Sequence, residues 1–198
     1  MAKKNKKKQQ TGQQFLSPEQ FMKQRARSLE IGTCYVSNDM SEYGEGHVIV
    51  TRRHTGGRIS VAMYLVDIFC LGVKDSFFRL RLEEDELEEM LSHGPSLHEC
   101  SYVEAHNWIY GAIAWAEEAG IKPDKSFLVT KYMLEEDTDD IPLIEYEFGR
   151  DGKHHLMANN NLEASRYLPL LKKNLGEGNF VLTIKDDFDE GFDLDFDN

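Results

Sequence analysis

The chain has 198 residues, 40% of them hydrophobic and 11% aromatic, which is enough for one substantial core and too little for two. Its formal charge of -12 is uneven: residues 1–27 carry +7 and residues 185–198 carry -6, so -13 falls on the body between them. A body this acidic repels duplex phosphate, and no 18-residue apolar window exists, so neither a broad nucleic-acid footprint nor a membrane span is expected.

Residues 1–14 are mostly Lys, Gln and Asn and are expected to be a disordered basic tail. Lysines packed into residues 3–8 would give that tail a weak, salt-sensitive attraction to RNA. No apolar run follows MAKKNKKKQQ, so a secretory signal is not expected. Cys34, Cys70 and Cys100 show no CxxC spacing and fit a reduced, cytoplasmic chain.

Ser17, Pro18 and Glu19 form a cap-then-proline start for a helix reaching about Arg27. A first strand over Ile31–Val36, a polar loop SNDMSEYGEG and a second strand over His47–Arg53 follow. Thr55, Gly56 and Gly57 then make a tight turn into residues 58–70, the densest β-forming run in the chain, with Asp67 set inside it. A strand this apolar is expected to be central, with both faces covered. Residues 77–82 read as a fourth strand, with Phe78, Leu80 and Leu82 on one face and Arg79 and Arg81 on the other.

An acidic helix, EEDELEEMLS, ends before Gly94 and Pro95. The clearest helix spans 101–119: Ser101 and Glu104 form a capping box, and Ala105, Ile109, Ala112, Ile113 and Ala116 make a stripe at helical spacing. Its small residues allow close approach to a sheet. A short helix is expected within 123–134, and a charged loop at EEDTDD. Alternation over Leu143–Phe148 and the GRDG turn predict a second hairpin with His154–Ala158. A helix from about Leu162 should break or restart at Pro169, and Phe180–Ile184 reads as the last strand.

No recognisable catalytic motif stands out in the 198 residues. Asp67, flanked by Val66 and Ile68, reads either as a structural ion pair or loop cap, or, with Glu104, as the core of a divalent-metal-dependent phosphodiester-cleaving site. Arg52, Arg53 and His54 could hold an anion, or form the solvated end of a hairpin. His93, His98, Cys100 and His106 lack zinc spacing, and GxGxxG and Walker A patterns are absent, so no metal or cofactor is assigned. His154 and His155, adjacent in a strand, must point opposite ways.

The C-terminal segment from residue 186 is acidic and spaced with Phe188, Phe192, Leu194 and Phe196. Such a segment cannot build its own core, yet it offers apolar anchors in a negative field, which suits docking on a basic, hydrophobic groove of a protein partner.

YLVDIFCLGVKDSFF (64–78) and YVEAHNWIYGAIAWAEEAGIKPDK (102–125), with ARSLEIGTCYV and HVIVTRRHTGG, resemble a family of uncharacterised bacterial proteins over about residues 25–148. That resemblance implies a single bacterial cytoplasmic domain and brings no activity with it. Taken together, the expectation is an α+β domain over 15–185, with an antiparallel-rich mixed sheet covered by a long helix and charged, disordered tails at 1–14 and 186–198. The function expected is that of a non-enzymatic protein-interaction adaptor.

Overall fold

Ser17 opens the first helix as its neighbours predict. Its hydroxyl accepts from the Gln20 backbone N–H, and its own N–H donates to the Gln20 side chain, closing a capping box ahead of α1 (Pro18–Arg25). The computed structural model describes residues 16–185, so the expectations placed on 1–14 and on 186–198 lie outside the described residues.

β1 (Glu30–Ser37), a one-turn helix α2 (Met40–Tyr43), β2 (Glu45–Arg53), β3 (Ile59–Asp67) and β4 (Gly72–Leu82) come next. α3 (Glu84–Ser92), β5 (Leu97–Cys100), α4 (Tyr102–Glu118) and α5 (Phe127–Thr130) follow, and β6 (His154–Ala158), α6 (Asn161–Asn174) and β7 (Phe180–Ile184) are the last elements among the described residues. The fold is α+β. A five-stranded antiparallel sheet has the order β4-β3-β2-β1-β5, and β6 and β7 form a separate parallel pair joined through α6.

Period-two alternation sends the sheet's residues to two different cores. Val48, Val50, Ala62, Tyr64 and Val66 meet Ala105, Ile109 and Ala112 of α4, whereas Ile49, Val61 and Met63 meet Leu87 of α3. The central strand is thus covered on both sides, as its composition requires. Tyr64 is fully buried and satisfies its hydroxyl by donating to the Thr130 carbonyl at 2.8 Å. A third cluster joins Cys70 and Leu71 to Ala116 of α4, to Ala119 just after it and to Leu156 and Leu171, tying the β6–α6–β7 unit to the sheet.

Several expectations are corrected. The strand expected over 58–70 stops at Asp67, and residues 68–71 form a turn that leads into β4 at Gly72, five residues before the expected start. Leu82 does not share a face with Phe78 and Leu80. A bulge at the end of β4, with Arg81 at φ +59°, turns Leu82 toward the α3 side. β5 was not foreseen: LHEC is short and polar, and only its pairing with β1 defines it.

The second hairpin does not form. Residues 143–148 belong to no strand, and β6 pairs in parallel with β7 instead. Their alternation is nonetheless physical, because one side of the segment packs against a helix rather than pairing in a sheet. α6 runs through Pro169 without a break, so the carbonyl of Ser165 loses its helical donor there. No helix among the described residues is long and apolar enough to cross a membrane.

Candidate functional site

Asp67 is the last residue of β3, and its carboxylate caps the turn that follows. Its Oδ1 accepts from the backbone N–H of Phe69 at 2.9 Å and of Cys70 at 2.8 Å. Burial raises its pKa from 3.8 to about 6, against the opposing pull of the Cys70 N–H and the Lys74 ammonium. Lys74 is itself paired with Glu45, and these residues line a narrow cleft with Tyr43, Phe69 and Lys185.

The capped turn is the joint of the molecule. The Ile68 carbonyl accepts from Gly149 N–H, and the Phe69 carbonyl accepts from both His155 N–H and the Trp115 indole. His155 stacks on Phe69 and bonds Thr183 of β7, while His154 stacks on Trp115 at 3.9 Å and donates to its carbonyl. The two histidines point apart, as adjacent strand residues must.

Asp67 and Glu104 are not brought together. Gly72, the cross-strand partner of Asp67, lies against Ala112 of α4: a Cβ there would sit 3.0 Å from the Ala112 carbonyl oxygen. Glu104 lies eight residues earlier on the same helix, about 12 Å along its axis. Its carboxylate accepts from the Ser101 N–H in the capping box, which holds its pKa below the usual range.

Arg52, Arg53 and His54 do not form a shared anion cradle either. Arg52 is 1% exposed, and its guanidinium donates to the carbonyls of Met133, Arg27 and Leu29 and to Glu135. The solvated-hairpin reading therefore fails for Arg52 as well. Arg53 is exposed beside Glu30 of β1, and His54 bonds the Ser60 hydroxyl while stacking on Phe21.

His93 bonds Glu89, His98 bonds Asn38 and His106 meets the Glu135 carbonyl. Among the described residues, no group of three or more His, Cys, Asp or Glu side chains is arranged to hold a metal ion. Cys34 and Cys100 face each other across β1 and β5, but burial pushes their thiols up to about 11 and about 12, so both stay protonated and weakly nucleophilic.

Two features escaped the reading of the residues. In the first, residues 142–148 lie as a strap on the outer face of α4. Asn107 donates to the Pro142 carbonyl and accepts from the Ile144 N–H, at 3.0 and 2.9 Å. Tyr146 stacks on Trp108 at 3.7 Å, and Phe148 lies edge-on to the same indole. Ile144, Tyr146 and Phe148 turn inward while Glu145 and Glu147 face solvent. Gly111 makes room, since a Cβ there would stand 2.4 Å from the Phe148 ring. A glycine in the middle of an otherwise strong helix was the available signal, because it weakens the helix unless something must approach closely.

The second is the outer edge of β7. Among the described residues only β6 pairs with it. Phe180, Leu182 and Ile184 remain half-buried against α6, and Val181 is 42% exposed on the opposite face.

Comparison with protein-family models, with the curated proteins and with the solved structures returns no match.

Proposed function

We propose that the protein is a non-enzymatic interaction adaptor whose acidic C-terminal segment, residues 186–198, engages a protein partner through Phe188, Phe192, Leu194 and Phe196. The observation that supports this reading is the strap on α4. Ile144-Glu145-Tyr146-Glu147-Phe148 docks with its apolar side chains inward and its carboxylates in water. Phe192-Asp193-Leu194-Asp195-Phe196 has the same alternation. A segment of that pattern presents three apolar anchors along one side and a negative row along the other. Its complement is a hydrophobic groove with a basic rim.

Three of the ionisable groups singled out in the body, Arg52, Asp67 and Glu104, each serve backbone groups. An immobilised peptide of residues 186–198 tests the reading against a second peptide in which Leu194 and Asp195 are exchanged. The two have equal composition and charge, so selective retention of a protein by the first supports recognition by alternation. Equal retention by both would reduce the segment to a charge.

A further inference from the structure

We infer that the docking of the β6–α6–β7 unit on the sheet is set by pH, with the Asp67 carboxyl as the proton-binding group between the two. This goes beyond the adaptor reading and stands or falls separately from it. The unit has an apolar cluster around Leu156, Ala158 and Leu171, distinct from the main core. It meets the sheet at the 68–71 turn, where the Ile68 carbonyl accepts from Gly149 N–H and the Phe69 carbonyl accepts from His155 N–H. Asp67 stands at the foot of that turn and holds it through the Phe69 and Cys70 N–H groups.

The unit also supplies part of the cleft that encloses the carboxyl. Met157 of β6 and Lys185, just after β7, line it together with Tyr43 of α2, Glu45 of β2 and Lys74 of β4. With that wall in place Asp67 is 5% exposed. Its charged surroundings come from every neighbouring element. Glu45 and Lys74 pair with each other, Glu163 of α6 adds its field at Lys74, and Lys185 closes the far side. Cys70 follows in the turn, His155 lies behind the Phe69 ring, and α4 brings only Ala112 and Ala116 against Gly72. Burial outweighs the pull of Lys74, which is why the carboxyl holds its proton up to about 6.

When the unit lifts, water reaches the carboxyl and its pKa falls back toward the ordinary 3.8. The docked state therefore binds the proton more tightly than the lifted state. Docking is firmest below about pH 4, weakens as pH rises toward 6 and levels off above it. A shift of this size lets the open population grow by up to about a hundredfold between those limits.

Amide hydrogen exchange on the purified full chain between about pH 4 and pH 7, corrected for the intrinsic pH dependence of exchange, tests this. The Gly149 and His155 amides, which bond the turn, should lose protection by at least about tenfold over that range, while the β2 and β3 amides stay better protected at every pH. Asp67→Asn keeps an acceptor for the two N–H groups and cannot ionise, so in that variant the same amides should change by less than about twofold. A flat profile in the unaltered chain, or an equal loss in Asp67→Asn, would overturn the proposal. So would exchange of Gly149 and His155 in step with β2 and β3 at every pH, which would mean that the unit opens only with the whole fold.

Discussion

Arg52 Nη2 lies 2.7 Å from Glu135 Oε1, and the same guanidinium donates to the Met133, Arg27 and Leu29 carbonyls. One buried side chain therefore ties β2 to the segment after α5 and to the segment before β1. The three carbonyls matter more than the ion pair, because Glu135 is partly exposed while the guanidinium N–H groups that donate to the carbonyls are buried. Arg52→Met should cost roughly 3–5 kcal/mol in denaturant unfolding, and Arg52→Lys should recover little of it, since an ammonium cannot reproduce the planar fork. Glu135→Gln should cost less than about 1 kcal/mol. A mild effect of Arg52→Lys would show that charge, not geometry, carries the contact.

Asp67 gives the fold a pH dependence of unusual sign for a carboxylate. Its folded pKa of about 6 lies above the ordinary value, so the folded state holds a proton that the unfolded chain releases. Its contribution to stability is favourable below about pH 4 and declines as pH rises toward 6, to a cost of roughly 3 kcal/mol above that. Asp67→Asn keeps an oxygen for the Phe69 and Cys70 N–H groups and removes the ionisation. It should flatten stability between pH 4 and 6 and leave the protein as stable or more so at pH 7.5. Asp67→Ala should destabilise below about pH 4 by about 1–3 kcal/mol for each buried N–H it orphans, and by less at pH 7.5, where it also removes the cost of ionisation. Urea midpoints across that range would separate the two variants.

Local signals were legible in the sequence. The Ser101–Glu104 box, the turn at Thr55, Gly56 and Gly57 and the dense β-forming run of β3 depend on near neighbours, and the α4 stripe follows from helical spacing alone. What was not legible depended on distant partners. Arg52 at the end of a strand looks solvated until Met133, 81 residues away, supplies its acceptor. β5 exists through β1, and β6 finds β7 beyond α6 rather than the segment just before it. Alternation over 143–148 reported one-sided burial, which a helix face satisfies as well as a sheet does.

The strap gives a local prediction. Gly111→Ala restores helix propensity worth up to about 1 kcal/mol but drives a methyl into the Phe148 ring, so global stability should change little. Strap docking should suffer instead. Chymotrypsin should cut after Tyr146 or Phe148 several-fold faster in the variant, with far-ultraviolet circular dichroism unchanged. Asn107→Leu, which removes both backbone bonds, should accelerate the same cleavage. Unaltered cleavage in both variants would show that stacking on Trp108 alone holds the strap.

The central claim is that the apolar residues of the C-terminal segment select a partner. Affinity capture from a lysate of the cells that make the protein tests it most directly, using the intact chain, the Phe192→Ala/Phe196→Ala variant and a chain ending at Lys185. The account predicts a protein recovered by the intact chain, lost with the shortened chain and strongly depleted with the double variant. That loss should exceed the loss caused by moderate salt, because charge steers the encounter while the aromatic rings supply the short-range affinity. Recovery of the same proteins by all three chains, or of none by any, would contradict it.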